Sequence, residues 1–505
     1  MNELIPLAQS HLLLSGCAVA IGVLAGLPLA IASARSARLR APVLGLAGLV
    51  QTVPALALLA LFYPALLILG RATGLAIPAL GFLPALIALS LYALLPILRN
   101  AVAALEGVDA GVIEAADGLG MTARQRLILV ELPLGAPVIL AGIRTASVWT
   151  IGAATLATTV GQPSLGNLIF SGLQTENWAR VLTGCAAAAA LALAVDGLLG
   201  LIERGLALRS RRRWIAGLAG IAVALAASLV PMPRAGGGET LVIGAKNFSE
   251  QYILASVIER RLQAAGYRTE RRDNLGSTVA YQALAAGDID VYVDYSGTLW
   301  ANILQRTDVP PPERMRAELE RRLPVRVIGP LGFENAYALA MRRGRAQALG
   351  IATLDDLARA APRLTLGADL EFLSRPEWRA VRSRYRLDFA GQRSFSPTFM
   401  YRAVTDGSAD VITAFSSDGR IAALDLVVLA DPRRALPSYD ALLLAAPGTD
   451  RRAIEALAPL VGAIPVERMR QANLMVDRDA DKRTPEEAAR WLDPDQSRGP
   501  AVQRH

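Results

Sequence analysis

The stretch EAADGLGMTARQRLILVELPLGAPVILAGIRT, from Glu114 to Arg144, decides how this chain is organised. It lies between two long apolar segments, yet it carries charged side chains at Arg124, Arg126 and Glu131. Each such charge is costly in the hydrocarbon core of a bilayer, so the stretch cannot sit in lipid. It therefore predicts a helix-turn-helix on the surface of a membrane, where a soluble protein can bind it.

The composition separates a membrane half from a soluble half. Of the 505 residues 53% are hydrophobic, mean hydropathy is +0.36, and the apolar residues are concentrated before residue 231. The net charge is +8, and many arginines in the first half border apolar segments. Arginines at such places orient membrane proteins, so we expect contact with membrane lipids and no nucleic-acid partner.

Cysteine and histidine are too scarce to build several kinds of site. The cysteines are Cys17 and Cys185, both in apolar segments, and the histidines are His11 and His505. These residues form neither a disulfide framework in the soluble half nor a histidine metal cluster or Ser-His-Asp triad. We expect no metal, no cofactor and no enzymatic activity in this chain.

Six segments reach the roughly 20 apolar residues needed to cross a bilayer. They lie at 11–34, 43–69, 78–98, 136–160, 180–202 and 214–231. Arginines concentrate after the first, third and fifth segments: Arg35, Arg38, Arg40, Arg99, Arg124, Arg126, Arg204, Arg209 and Arg211–Arg213. Because positive loops stay in the cytoplasm, we predict that the amino terminus and everything after residue 231 lie outside.

The apolar spans end in a short linker, Pro231 to Glu239. The predicted domains are a transmembrane domain at 1–213, the sixth span with its linker at 214–239, and an extracytoplasmic domain at 240–500. We interpret the sixth span as an anchor. Cleavage near Gly236–Gly238, as after a secretory signal, is the alternative.

Asp196 is an ionisable residue inside the fifth predicted span. An intramembrane charge is a functional candidate by default. We favour the other interpretation, in which Asp196 snorkels to the interface or pairs with a neighbouring arginine.

Short apolar strands alternate with amphipathic helices after Thr240, and this alternation predicts α/β lobes. In such lobes ligands bind beyond the carboxyl ends of the strands, often between domains. The predicted strands are Leu241–Gly244, Ile289–Val293, Arg326–Ile328, Tyr337–Ala340, Leu364–Leu366, Asp410–Ile412 and Leu426–Leu429.

Aromatic side chains stand beside hydroxyls and amides where these strands end. Such a set makes a cage that suits a quaternary ammonium, which is attracted to aromatic faces. The alternative is that the aromatic side chains pack in the core. Asp288, Asp290 and Asp294 lie around one strand, and we interpret them as structural rather than as metal ligands.

Motifs in both halves of the chain resemble those of one known family of transport proteins. Residues 99–175 resemble the permease of an ATP-binding-cassette (ABC) importer of the glycine betaine/carnitine/choline (osmoprotectant) branch. The motifs are Glu131-Leu-Pro-Leu, Ala141-Gly-Ile-Arg144 and Ile151-Gly-Ala-Ala-Thr155, with the Glu-Ala-Ala loop at Glu114–Gly120. Residues 240–495 resemble that branch's binding protein, through Lys246-Asn-Phe-Ser-Glu-Gln, Gly287-Asp-Ile-Asp, Tyr295-Ser-Gly-Thr and Phe415-Ser-Ser-Asp-Gly-Arg420.

The resemblance implies a fold and a site. The fold is an α-helical transmembrane bundle followed by a two-lobed α/β domain of the type II periplasmic-binding-protein kind. Family ligand contacts carry over onto Gln251, Tyr295, Thr298, Asn335 and Phe415, where the family commonly has Tyr in place of this Phe. The chain departs from the family's usual Asp-Gly-Tyr at Pro376-Glu377-Trp378, and we expect Trp378 to serve as a cage wall. We also place Ser277, Thr278, Tyr337, Arg375 and Asp418 in the site.

The resemblance also implies partners. A cytoplasmic ABC ATPase is expected to dock on Glu114, Ala115, Ala116, Gly118, Gly120, Leu132 and Pro133. Two copies of the chain are expected to pair through their membrane halves. The two lysines follow Ala245 and Asp481, so the Gly-Lys-Ser/Thr of an ATP-binding loop does not occur in this chain.

The expected function is therefore import of a quaternary-ammonium or zwitterionic solute such as glycine betaine, choline, carnitine, proline betaine or ergothioneine, at the inner membrane. Three alternatives stay open: a membrane-tethered ligand sensor, an ion-coupled transporter, and an importer of an unrelated small solute. The Glu114–Gly120 loop argues against a sensor, which needs no ATPase. Asp196 alone is weak support for ion coupling.

Overall fold

The computed structural model describes residues 3–75, 77–175, 177–229, 239–306, 308, 310–478 and 480–493. The chain divides into two compact units, one of residues 1–169 and 180–233 and one of residues 170–179 and 234–505. The predicted linker up to residue 238, with the alternative cleavage point at Gly236–Gly238, lies outside the described residues.

The first unit is helical. Its elements, with α8 at the division between the units, are α1 (Leu4–Arg35), α2 (Ala37–Thr52), α3 (Ala55–Thr73), α4 (Phe82–Glu106), α5 (Ala110–Gly118), α6 (Ala123–Arg126), α7 (Leu132–Ala154), α8 (Gly166–Gln174), α9 (Trp178–Ala207) and α10 (Arg211–Leu229). A π-helical turn at Leu127–Glu131 precedes α7, and a 3-10 turn at Thr155–Val160 follows it. Among the described residues, five helical segments are long and apolar enough to cross a membrane: α1, α4, the segment Ala123–Val160 that contains α6 and α7, α9 and α10. Each of them overlaps a predicted span.

The predicted span at 43–69 is bent in the middle. Helices α2 and α3 meet there at an angle of 100°. Pro54 has no N–H, and its ring pushes the preceding residue out of the helical region, so Val53 is extended with φ −74° and ψ 125°. The Tyr92 hydroxyl donates to the carbonyl that this break frees on Val53. The pair is a broken span or a re-entrant loop.

The quoted stretch folds as the predicted helix-turn-helix. Helix α5 is capped by the preceding residue, Asp109, whose side chain accepts hydrogen bonds from the backbone N–H groups at positions 111 and 112. Gly120 turns the chain with φ +76°, and Thr122 and Gln125 form a capping box at the start of α6. The wide π turn ends at Glu131, two residues before Pro133, which cannot donate to the carbonyl four residues earlier.

The second unit alternates strands and helices. Its strands are β1 (Thr240–Lys246), β2 (Arg268–Leu275), β3 (Val291–Tyr295), β4 (Arg326–Glu334), β5 (Tyr337–Arg342), β6 (Thr365–Ala368), β7 (Gly391–Ser394), β8 (Val411–Phe415), β9 (Leu426–Val428) and β10 (Asp440–Ala445). Its helices are α11 (Ser249–Ala264), α12 (Ser277–Ala286), α13 (Ser296–Thr298), α14 (Pro312–Arg322), α15 (Arg343–Leu349), α16 (Leu354–Ala360), α17 (Leu370–Ser374), α18 (Pro376–Tyr385), α19 (Pro397–Thr405), α20 (Arg420–Ala423), α21 (Arg451–Leu457), α22 (Val466–Asp477) and α23 (Pro485–Leu492). A π-helical turn, Leu299–Ile303, follows α13, and 3-10 turns lie at Ala361–Arg363 and Ala458–Leu460.

Two five-stranded sheets form the cores of two lobes. Lobe 1 has the strand order β2-β1-β3-β10-β4, and lobe 2 has the order β7-β6-β8-β5-β9. The chain crosses from lobe 1 to lobe 2 at residues 335–336 and returns at residues 429–439. Strand β10 pairs antiparallel with both β3 and β4, so the last strand of the chain lies inside the first sheet. This is the two-lobed α/β arrangement that the sequence predicts.

Candidate ligand site in the second unit

A cavity of about 650 Å³ lies where strand ends of both lobes meet. Lobe 1 contributes the residues that follow β1 and β3, and lobe 2 contributes those that follow β6, β7 and β8. The lining residues are Lys246, Asn247, Phe248, Ser277, Tyr295, Thr298, Asn335, Tyr337, Asp369, Leu370, Glu371, Arg375, Ser394, Phe395, Ser396, Phe415 and Tyr439. Its volume suits a small solute.

Aromatic rings form one part of the wall. The Phe248 ring lies 6.5 Å from the Phe415 ring, centroid to centroid, and the two planes are within 3° of parallel. The Phe248 ring also stacks 6.2 Å from the ring of Tyr295. Tyr337 packs against Phe415 at 5.0 Å and edge-on against Tyr439 at 5.5 Å. Rings in this arrangement offer several π faces to a cation.

The Tyr439 ring fits against the backbone only because residue 297 is a glycine. A Cβ on Gly297 would come within 2.7 Å of the Tyr439 ring, closer than real Cβ contacts allow. This glycine belongs to the Tyr295-Ser-Gly-Thr298 motif. The motif therefore brings one tyrosine to the cavity directly and makes room for a second.

Two cations lie in the same wall. The Arg375 side chain is 4% exposed, bonds to Glu377 at 3.0 Å and Glu371 at 2.8 Å, and lies 5.1 Å from the Tyr337 ring centroid. Lys246 pairs with buried Asp294 and lies 5.0 Å from the Tyr295 ring centroid. One of the two carboxylate partners of Arg375, Glu371, is exposed to solvent, with 56% of its side chain accessible.

The buried carboxylate of Glu250 holds two cavity residues in place. It accepts hydrogen bonds from the Tyr295 hydroxyl at 2.6 Å and the Asn335 amide at 3.0 Å. Burial raises the pKa of Glu250, and the hydrogen bonds that it accepts oppose this rise. Burial likewise raises the pKa of the Tyr295 hydroxyl, so this group stays protonated and donates.

Seven of the predicted site residues line the cavity: Ser277, Tyr295, Thr298, Asn335, Tyr337, Arg375 and Phe415. Gln251 lies behind the wall, where its Nε2 donates to the Tyr295 hydroxyl at 3.0 Å. Thr278 is exposed on α12, and Asp418 pairs with Arg420 at 2.8 Å. These three residues are not among those that line the cavity.

Trp378 lies in the core rather than on the cavity wall. It is 5% exposed and packs 5.7 Å from the Phe372 ring and 6.4 Å from the Phe389 ring. Helix α18 begins at Pro376 and turns the indole inward. Arg375, immediately before this helix, reaches the cavity instead.

Sequence reasoning missed several lining residues, among them Lys246, Phe248, Asp369, Glu371, Phe395 and Tyr439. Lys246 and Phe248 lie in the Lys246–Gln251 motif, so the position after β1 was a usable signal. Tyr439 lies where the chain returns to lobe 1, and a short sequence window carries no sign of that return.

Two of the three aspartates around β3 accept hydrogen bonds from neighbouring protein groups. Asp290 accepts a hydrogen bond from the Val242 N–H at 2.6 Å, and Asp294 from the Tyr292 hydroxyl at 2.6 Å. Within the ranges that the structure describes, three or more histidine, cysteine or acidic residues do not come together as a metal site.

In the first unit, five of the seven residues predicted to bind an ATPase are exposed. Glu114, Ala115, Gly118, Gly120 and Pro133 are exposed, whereas Ala116 is buried and Leu132 is half-buried. A Cβ on Gly118 would meet no atom within 4 Å. The α5 surface is therefore free for a partner within the described part of this unit.

An ion network ties this surface to the membrane helices. Arg126 bonds to Asp117 of α5 at 2.6 Å and to Glu131 at 2.9 Å. Glu131 is 2% exposed and also pairs at 2.5 Å with Arg35, the last residue of α1. Two of the charges that exclude this stretch from lipid, Arg126 and Glu131, are thus paired with each other.

Comparison with known proteins follows the same division. Residues 239–493 match the family described as the substrate binding domain of ABC-type glycine betaine transport systems. Residues 21–208 match the inner membrane component of binding-protein-dependent transport systems. Each half of the chain therefore matches one component of a transport system.

Individual relatives have the same two parts or one of them. The ergothioneine transport permease/ergothioneine binding protein EgtU of Helicobacter pylori is 30% identical over 426 residues, which cover 80% of this chain and 74% of that protein. The choline transport system permease protein OpuBB of Bacillus subtilis is 38% identical, covering 41% of this chain and 89% of its own length. A crystal structure of a glycine betaine/carnitine/choline ABC transporter protein is 25% identical with a TM-score of 0.45, covering 51% of this chain and 98% of its own. The chain belongs to the ABC importer family in which a membrane permease is joined to a substrate-binding domain of the glycine betaine transport type.

Proposed function

We propose that this chain captures a zwitterionic solute that carries a quaternary ammonium and passes it through its own membrane unit. The observation that carries the proposal is one cavity lined by both aromatic rings and an arginine. The rings of Phe248, Tyr337 and Phe415 suit an ammonium, and Arg375 suits a carboxylate. Ergothioneine and choline are named for the two relatives described above, and both contain such an ammonium.

The carboxylate of the solute is proposed to take the place of Glu371 beside Arg375. Glu377 is buried and holds the guanidinium from behind, whereas the Glu371 side chain is 56% exposed. A bound carboxylate would replace a solvated partner and leave the buried one in place. Arginine is suited to this exchange because its planar donors match a carboxylate.

Transport is proposed to need a separate ATPase, which docks on the exposed face of α5. The Asp117–Arg126–Glu131–Arg35 network supports this, because it links α5 to α1. We also propose that two copies pair through their membrane units. The basic loops favour a cytoplasmic α5 and a binding domain on the outer side of the inner membrane.

The proposal is tested by calorimetry on the full-length chain in detergent. Glycine betaine, choline, carnitine, proline betaine and ergothioneine are titrated separately, with sucrose and succinate as controls. At least one ammonium solute is expected to bind, and a solute with a carboxylate is expected to bind more tightly than choline. Binding of sucrose or succinate with no binding of the five ammonium solutes would overturn the proposal.

A further inference from the structure

Glu250 is the second residue of α11 and is 3% exposed, yet its carboxylate meets four donors. All four donors come from other elements, and each is itself buried. They are Tyr295, Asn335, Ser417 and Asn473. A buried charge needs all of these bonds, because each lost donor leaves part of the carboxylate unsatisfied.

The two oxygens of this carboxylate face different parts of the domain. Oε1 accepts from the Tyr295 hydroxyl at 2.6 Å and from Asn335 Nδ2 at 3.0 Å, and both residues line the cavity. Oε2 accepts from the Ser417 hydroxyl at 2.6 Å and from Asn473 Nδ2 at 2.8 Å. One rigid group therefore joins the cavity wall to residues behind it.

Ser417 belongs to lobe 2, whereas Glu250 and Tyr295 belong to lobe 1. Ser417 follows β8 by two residues, and the last residue of β8, Phe415, places its ring in the cavity. The carboxylate thus spans the two lobes beside the first crossing, at Asn335. A rotation of lobe 2 moves the Ser417 donor, and the carboxylate must follow or lose a bond.

The partners on the Oε1 side have little freedom of their own. The Tyr295 hydroxyl also accepts from Gln251 Nε2 at 3.0 Å, so it is held between two groups. Asn335 must turn its nitrogen toward Glu250, because a carboxylate only accepts hydrogen bonds. A displacement of the carboxylate therefore also displaces Tyr295 and Asn335.

We propose that Glu250 is a positioning residue that couples the angle between the two lobes to the placement of Tyr295 and Asn335 in the ligand cavity. The binding test of this inference rests on the proposed function, because it uses the proposed solutes as probes. The carboxylate does not touch the solute. It makes the cavity wall respond to the position of lobe 2.

The first test is a double-mutant cycle on the full-length chain in detergent. Tyr295→Phe and Ser417→Ala remove one donor from each oxygen, and glycine betaine, choline and ergothioneine are the probes. Coupling through Glu250 makes the two effects on Kd non-additive by a factor of about three or more. In a Glu250→Gln background the same pair is expected to be additive. Additive effects in the native background, or coupling that survives Glu250→Gln, would refute the role.

The second test needs no ligand and so separates this inference from the proposed function. Spin labels replace Arg321 of lobe 1 and Arg359 of lobe 2, which are exposed, after Cys17 and Cys185 are changed to serine. Pulsed dipolar spectroscopy then gives the distribution of distances between the lobes. Glu250→Gln is expected to broaden or shift this distribution.

Glu259→Gln, on the same helix but facing Arg271, is the matched control and should leave the distribution unchanged. Identical distributions in the native chain and Glu250→Gln would overturn the proposal, as would an equal change in Glu259→Gln. This readout separates positioning from simple destabilisation, since it is made on folded protein.

Discussion

Arg144 of α7 and Asp196 of α9 form a two-bond ion pair, with Nε to Oδ1 at 2.9 Å and Nη2 to Oδ2 at 2.8 Å. Arg144 also reaches Glu203, one helical turn before the end of α9, at 2.5 Å. The pairing of Asp196 with an arginine that the sequence favours is thus confirmed. One arginine holds two carboxylates of another helix within the membrane unit.

Replacing this arginine should destabilise the membrane unit. Arg144→Met leaves two carboxylates without their shared cation, which in a fully buried pair costs about 3–5 kcal/mol. Because each side chain is about a third exposed, we expect about 2–3 kcal/mol, measured as thermal unfolding in detergent. Arg180→Met, which breaks a more exposed pair with Glu3, is the control and should cost less than about 1 kcal/mol. Equal losses in the two variants would contradict this prediction.

Gly118→Asp should abolish binding of the ATPase subunit. The new side chain meets no atom of this chain within 4 Å, so the fold has room for it. It would instead add bulk and charge to the surface proposed for the partner. Co-purification of the ATPase from membranes is the measurement, with Gly344→Asp in the second unit as control, since that position is also open. Retention of the ATPase by Gly118→Asp would show that docking occurs elsewhere.

Phe415→Leu should weaken binding of an ammonium solute by roughly 5- to 30-fold, since it keeps an apolar wall but removes a π face worth about 1–2 kcal/mol. Calorimetry with the tightest-binding solute measures this. Phe389→Leu removes a ring that packs on Trp378 and is not a lining residue, so its Kd should stay within about twofold. A Phe415→Leu variant with native affinity would exclude the aromatic cage.

Arg375→Gln should lower the affinity for glycine betaine more than the affinity for choline. Glycine betaine has a carboxylate and choline has none, so loss of the guanidinium should weaken glycine betaine by about tenfold or more. Choline affinity is expected to change less, because the aromatic faces remain. The ratio of the two Kd values is the readout, which cancels any general damage to the cavity. An unchanged ratio would mean that Arg375 does not meet the carboxylate.

The contribution of Asp477 to the stability of the second unit should fall as pH rises from about 4 to 6. Burial raises the pKa of Asp477, which bonds to Ser249 at 2.5 Å, from 3.8 to about 6. Between these values the folded state holds a proton on this carboxyl that the unfolded state releases, so the contribution of Asp477 to the free energy of unfolding decreases with pH, by about 1–3 kcal/mol. Asp477→Asn should flatten this dependence, and Asp388→Asn, at an exposed position, should not. Denaturation at pH 4.5 and 7 measures both, and a native slope in Asp477→Asn would refute the assignment.

The sequence predicted those elements whose signal is local. The charged Glu114–Arg144 stretch, the strands that begin at Leu241 and Tyr337, and the motif around Tyr295 all carry their information within a few residues. The break at Val53-Pro54 had a local signal as well. Membrane helices tolerate proline too often, however, for Pro54 alone to predict that the helix breaks there.

Other features depend on distant partners and lie beyond such reasoning. The β10 segment, Asp-Ala-Leu-Leu-Leu-Ala, fits a helix as well as a strand, and only β3 and β4 make it a strand. Strand β7 is polar and exposed, so it has no apolar pattern to detect. Trp378 and Tyr439 are both aromatic residues of the binding domain, and which of them reaches the cavity depends on Gly297 and on the turn of α18.

The position of β10 also constrains the order in which the domain is made. The strand that lies between β3 and β4 is synthesised only after the whole of lobe 2. Until then lobe 1 has an unfilled gap and two unpaired strand edges, which are prone to aggregation. Lobe 1 therefore completes its sheet only after lobe 2 has emerged, and truncation before residue 440 should leave lobe 1 without the strand that joins β3 to β4.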